Sequence, residues 1–279
     1  MVPARTINAV PAPDRLPQPL RHCVDQTIAA EALEGWRPTD EQVDALVALV
    51  SGEAAFDDYL ASYRSRYPVK ATRDAHRRTR RGSPPYFVPG TTLLRNNFGA
   101  DDQTVLTDLE YVATAGRIAG WHCRLANGDV GADDLDIRAI HRHVFADVYG
   151  WAGDFRVTEL RLGDDVFARR ASVQREAARI VATARSLTAD TASIDDDALA
   201  SQLARLYADY NYLHPFREGN GRTGTLLLHT VTTLRGRTLD LSAISRRQWY
   251  AASHDSMPLR RGESPDHAPF VALLVRALD

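Results

Sequence analysis

One ten-residue run, Leu213–Arg222 (LHPFREGNGR), constrains this chain more than any other stretch. A helix-patterned segment leads into it over 197–212, and another leaves it over 221–236. Between them lie a histidine, a carboxylate, an asparagine flanked by glycines, and an arginine. Gly219 and Gly221 are expected to let the backbone take positive φ and turn its N–H groups inward. Amides so turned, followed at once by a helix N-terminus, suit an anion such as phosphate. Glu218 offers the hard oxygen that Mg2+ accepts beside phosphate oxygens. His214 is a base with an ordinary pKa near neutrality, and Arg222 can meet phosphate with a planar fork. Base, metal ligand, anion cradle and cation together are suited to attack by a hydroxyl on a nucleotide phosphate.

The remaining chain reads as helical. Val24–Glu34 is Ala-rich and stops at Gly35. Thr39 with Gln42 forms a capping-box pattern ahead of Val43, Leu46, Val47 and Val50. A third helix over 54–67 presents Phe56, Tyr59, Leu60 and Tyr63 on one face. Three helices in roughly 45 residues make a small core that needs a partner surface. Further helices are expected over 101–125, 133–149, 169–187, 195–212, 221–235, 245–256 and 265–278. Trp151, Phe155 and Phe216 are expected as apolar anchors, the last fixing the glycine loop, and Arg156 as an ion-pair partner. Between the helices, 157–167 alternates polar and apolar residues about Gly163-Asp164, which predicts a short hairpin.

Composition excludes some classes. Net charge of −2 gives no bulk attraction to nucleic acid or an anionic membrane. No apolar run reaches membrane-spanning length, and the N-terminus lacks a signal-peptide core. Two cysteines, Cys23 and Cys123, form no disulfide framework, which makes a reducing cytoplasm the expected setting. The Arg-rich run 70–81 has no aromatic interleaving and no reading element, so it is read as a solvated linker or basic helix rather than a nucleic-acid reader.

The central run resembles the signature of the Fic family, H-x-F-x-[D/E]-G-N-G-R-x-x-R. Seven of its eight specified residues are present: His214, Phe216, Glu218, Gly219, Asn220, Gly221 and Arg222. The eighth, an arginine, is Thr225 here. YFVPGTTLLRNNFG from Tyr86 and GWAGDFR (Gly150–Arg156) are also similar to that family. The resemblance implies an all-α, Fic-type helical bundle with a small β-hairpin flap, preceded by a small three-helix module. It divides the chain into a disordered tail (1–22), an antitoxin-like inhibitory module (23–67), a basic linker (68–85) and a Fic domain (86–279).

The resemblance further implies transfer of AMP from ATP, with Mg2+, to a Ser, Thr or Tyr of a protein target. In that reading His214 is the base and Glu218 the metal ligand. Gly219, Asn220, Gly221 and Arg222 hold phosphate. Leu160, Leu162, Val166 and Phe167 form the flap that docks the target by strand addition. Modules of the inhibitory kind carry [S/T]-x-x-x-E-[G/N]. Glu34-Gly35 fits its end, with Ala30 at the Ser/Thr position; the register from Thr27 gives Glu31 followed by Ala32. Glu34 is taken as the inhibitory carboxylate. With Thr225 replacing the second arginine, another cation is needed for the terminal phosphates, and Arg205, Arg217 and Arg235 are candidates. UMP, GMP or phosphate as the transferred group, and a catalytically silent binding module, remain alternatives.

Overall fold

The computed structural model describes residues 16–67, 86–163, 165–189 and 195–278. The proline-rich residues 1–15 and the basic run 68–85 lie outside the described residues. Ten α-helices and one two-stranded hairpin make up the regular structure described, in agreement with the all-α expectation. No described helix is long and apolar enough to cross a membrane.

Helix α1 (Gln18–Glu34) begins inside the segment read as a tail. Pro17 stands at its N-cap and Pro19 in its first turn, where a missing N–H costs nothing and a fixed φ favours the helix. The prolines therefore start this helix instead of preventing it. It ends at Gly35, whose φ of 109° lets Gly35 and Trp36 N–H bond back to Ala32 and Glu31 carbonyls. The Thr39–Gln42 capping box opens α2 (Asp40–Val50) as expected. Helix α3 (Phe56–Arg64) is shorter than the sequence pattern, and Tyr67 beyond its end still reaches the helix that is the module's packing partner, donating to Asp108 at 2.8 Å.

That partner is α4 (Gln103–Ala126), capped by Asp102 and packed against α1, α2 and α3. Gly116 marks the contact, since a Cβ there would stand 2.8 Å from Tyr59 Cε1 and 2.9 Å from Phe56 Cε2. The three-helix module shares one continuous apolar core with the rest of the chain. Both cysteines are free, Cys23 in α1 facing Cys123 in α4.

Helix α5 (Ile137–Phe145) follows a 3-10 turn at Ala132–Asp134 and leads to the hairpin β1 (Arg161–Leu162) and β2 (Asp165–Val166). The strands pair antiparallel, Arg161 opposite Val166, about Gly163 at φ 58°. Then come α6 (Val173–Ala189), α7 (Asp196–Leu213), α8 (Asn220–Leu234), α9 (Arg246–Asp255) and α10 (Ala268–Ala277).

Helix α8 is nearly all buried although it carries five threonines. Thr223, Thr230 and Thr232 each donate a hydroxyl proton to the carbonyl four residues back, and Thr225 to that of Arg222, at 2.7–3.0 Å. Satisfying the hydroxyls on the helix's own backbone removes the penalty of burying them. The central helix thereby sits inside α1, α4, α5, α6 and α7, with its N-terminus at the mouth of a cavity.

Candidate active site

Helix α7 stops at Leu213 because His214 turns left-handed, at φ 45° and ψ 62°. A non-glycine residue held there stores strain that surrounding bonds must maintain. Arg156 supplies them. Its buried guanidinium donates to the carbonyls of His214 (2.8 Å), Thr158 (2.9 Å), Leu213 (3.2 Å) and Ala168. Glu159 stands 3.9 Å away. Arg156 thus serves mainly as a backbone clamp, where the sequence reading had an ion-pair partner.

The loop from His214 to α8 is closed by Asn220. Its Oδ1 accepts the Phe216 N–H at 2.9 Å, and its Nδ2 donates to the Phe216 carbonyl at 3.0 Å. Phe216 is fully buried, its ring stacked on His141 at 3.9 Å. His141 accepts the Gly153 N–H at Nδ1 (2.8 Å) and so carries its proton on Nε2, which donates to the Glu218 carbonyl (3.0 Å). Burial pushes its pKa down to about 3, which keeps the ring neutral. The sequence reading assigned His141 no part in the site. Nothing in the local pattern joins it to a loop 77 residues away.

Gly219 and Gly221 serve different needs. Only Gly219 is left-handed, at φ 79°, and a Cβ there would collide with the Phe145 ring. Gly221 lies within α8, where a Cβ would collide with the Glu34 carboxylate. The expectation of positive φ at both glycines is corrected: at Gly221 the requirement is close approach, not backbone conformation.

A cavity of about 630 Å3 opens on this turn. His214, Glu218, Asn220 and Gly221 line it, with Glu34 from α1, Leu160, Arg161, Leu162 and Phe167 from the hairpin region, Arg217, and Tyr207, Trp249 and Tyr250 behind. Val166 is not among the lining residues. Phe167 is buried and stacked on the His214 ring at 3.9 Å, whereas Leu162 is 62% exposed. The hairpin residues therefore divide between a wall on the imidazole and an open edge.

His214 Nδ1 lies 3.3 Å from the Asn211 carbonyl, which can only accept. The proton therefore sits on Nδ1 and the lone pair on Nε2. Burial, with Arg156 and Arg217 nearby, lowers its pKa to about 4. The imidazole is neutral at pH 7 and able to take a proton.

Charge is concentrated at the start of α8. Glu218 and Glu34 are both held above the usual carboxylate range by burial; Glu110 adds to this, and Arg222 opposes it. Glu31 is pushed up to about 7 by burial, against Arg222 and a 2.5 Å hydrogen bond from Thr114. Arg222 does not line the cavity. It is buried, donating to Glu110 and to Thr114 Oγ1 (3.0 Å), with Glu31 at 3.8 Å, and stays charged because four carboxylates outweigh its desolvation. Thr225 is buried and also away from the cavity. Of the three replacement cations considered, Arg217 lines this cavity, Arg205 lines another and Arg235 lines neither.

No group of three or more His, Cys, Asp or Glu among the described residues could hold a metal by itself. Glu218 is the turn's own carboxylate, beside Glu34 brought in by α1, and one of its oxygens accepts the Gly219 N–H at 3.1 Å. That suits a Mg2+ that keeps water and substrate phosphate as its other ligands.

Known proteins resemble this chain over about 70% of its length. The Fic/DOC family pattern matches residues 133–232. The chain is 35% identical over 196 residues to the probable protein adenylyltransferase y4lH of Sinorhizobium fredii, covering 70% of this chain and 95% of the relative. It is 26% identical over 172 residues to the probable protein adenylyltransferase Fic of Escherichia coli, covering 62% and 84%. Among solved structures, BepC of Bartonella tribocorum with bound AMPPNP aligns at TM-score 0.56 and 20% identity, covering 70% of this chain and 96% of that one. The Fic domain of a Bartonella quintana filamentation protein with bound ADP aligns at 0.56 and 22%, covering 70% and 94%.

Proposed function

The chain belongs to the Fic/DOC family, and from that premise we propose that it is a protein adenylyltransferase, moving AMP from ATP to a hydroxyl side chain of a protein. The carrying observation is a neutral imidazole with its lone pair on Nε2, lining the same cavity as the first turn of α8. His214 Nε2 takes the hydroxyl proton as the oxygen attacks the α-phosphorus. The bond from that phosphorus to the bridging oxygen breaks, and pyrophosphate leaves. The N-terminal amides of α8 face the developing charge. Most of the rate gain comes from alignment and charge stabilisation, as in phosphoryl transfer generally.

Glu218 is the residue that would hold Mg2+, which when bound neutralises phosphate charge. Arg217 is the cation assigned to the terminal phosphates in this reading, since neither Thr225 nor Arg222 lines the cavity; Arg161 of the hairpin is the other arginine that lines it. Asn220 acts by locking the loop through both ends of its amide, and Arg222 acts by anchoring the helix start among carboxylates. Leu160 and Leu162 border the path by which a target segment reaches His214.

Glu34 is the built-in inhibitor in this reading. Its carboxylate lies against Gly221 in the first turn of α8, where a helix dipole favours negative charge and where a substrate phosphate would sit. Tyr111 fixes the end of α1 by donating to the Glu34 carbonyl at 2.9 Å. Glutamate at this position competes with nucleotide, and withdrawal of α1 releases the site.

Intact mass spectrometry tests the reading. Glu34→Gly protein incubated with Mg2+, ATP and a bacterial lysate should yield proteins heavier by one adenylyl group, modified on hydroxyl residues. Heavier products with UTP or GTP but not ATP would reassign the transferred group. Absence of any modified protein would favour a silent binding module.

A further inference from the structure

A second cleft, of about 760 Å3, lies beside the candidate active site. The two share a wall. Phe167 and His214 face the candidate active site, while their neighbours Ala168 and Leu213 face the cleft. The wall is tied together by Ala168 N–H on the Tyr212 carbonyl (3.0 Å) and by Arg156 on the Ala168 and Leu213 carbonyls.

Five arginines line the cleft, from four parts of the chain: Arg169 after β2, Arg175 and Arg179 on α6, Arg205 on α7, and Arg261 before α10. Three carboxylates, Glu176, Asp209 and Glu263, face them. Glu176 engages Arg175 (2.8 Å) and Arg179 (3.0 Å), and Asp209 stands 3.4 Å from Arg179. Arg261 stands 3.6 Å from Glu159, and the exposed Arg205 acts with Arg179 on Asp209. Arg169 is exposed and forms no ion pair with any described residue. The cleft thus carries surplus positive charge on a chain whose net charge is −2. Its volume falls in the range of ligand pockets, more than a single ion requires.

We infer that this cleft docks an acidic segment of the protein target, next to the hydroxyl presented to His214. The inference rests on the adenylyl-transfer reading for its partner, and on charge complementarity and the shared wall for its location. A chain laid along the hairpin, with its hydroxyl over His214, passes Phe167 and continues into the arginines. Nucleic acid fits less well. Among the described residues lining the cleft, Tyr212 is the one Phe, Tyr or Trp, with the imidazole of His267 the other ring, which leaves little to stack bases on. Interspersed Glu176, Asp209 and Glu263 would repel closely spaced phosphates, whereas the sparser charges of a Glu/Asp-containing peptide can interleave with them. The arginine fork is suited to carboxylate partners.

Binding alone tests this, without need for transfer. Two fluorescent peptides are compared by anisotropy on the full chain, each with one central serine, one flanked by glutamates and the other by glutamines. The acidic peptide should bind on the order of tenfold tighter at low salt, with the preference largely lost at high salt. The Arg169→Gln/Arg205→Gln double variant should lose the preference while keeping the wild-type melting temperature and nucleotide binding. Equal binding of both peptides by the wild type, or a preference undiminished in the double variant, overturns the inference. A single-stranded oligonucleotide that outcompetes the acidic peptide overturns it too, and assigns the cleft to nucleic acid. Failure of adenylyl transfer leaves these measurements interpretable, since none of them requires catalysis.

Discussion

Replacing Glu31 by glutamine isolates the electrostatics that seat α1 on α8. Glu31 is wholly buried, and its carboxyl is raised from 4.5 to about 7 by desolvation. One oxygen takes the Thr114 proton, and the other has no hydrogen-bond partner, with Arg222 at 3.8 Å. The folded state therefore binds this proton more tightly than the unfolded state does. The resulting stability is complete below pH 4.5 and is lost as pH rises through about 7. At about 1.4 kcal/mol per pH unit, the window from 4.5 to about 7 corresponds to about 3 kcal/mol. Glutamine keeps the acceptor for Thr114 and cannot ionise. Its extra N–H lacks an acceptor, at a cost independent of pH, so the difference between two pH values cancels that cost. Urea unfolding at pH 4.5 and pH 8 should show the wild type losing about 3 kcal/mol more than Glu31→Gln across the interval. The same pH dependence in both proteins would refute the reasoning, since Glu31 would then ionise no differently when folded.

Two further outcomes are expected. Phe167→Ala uncovers the His214 ring, and burial is the leading cause of that ring's low pKa. The acid limb of the pH–rate profile should move from near 4 in the parent toward the ordinary histidine value of about 6.5; an unmoved limb would show that burial is not the cause. Gly219→Ala forces a side chain into a left-handed position and against Phe145. It should cost at least about 2 kcal/mol in chemical denaturation and abolish transfer. Full activity with unchanged stability would contradict the geometry of the loop.

Much of this was legible in the sequence because its signals are local. A histidine, a carboxylate and paired glycines within nine residues define a loop chemistry, and the helices around it follow from apolar spacing and from caps such as Thr39 with Gln42. What was not legible depends on contacts between distant segments. The role of His141 exists only because α5 places its ring against Phe216 and the Glu218 carbonyl. Arg222 reads as a phosphate ligand until α4 brings Glu110 beside it. Gly221 reads as a flexible turn residue until α1 brings a carboxylate to its Cα. The prolines around residue 18 read as breakers, because their tolerance depends on standing in the first helical turn. The arginine cleft is likewise assembled from four separate stretches, none of which is unusual alone.

The central claim is that His214 Nε2 activates a target hydroxyl at the turn that Glu34 covers. The most direct test is transfer of label from α-32P ATP, with Mg2+, to lysate protein by the wild type, Glu34→Gly, and Glu34→Gly/His214→Ala, all confirmed folded. Label should be weak with the wild type, strong once Glu34 is removed, and lost again without the imidazole. Labelling by the double variant equal to that by Glu34→Gly would contradict the account.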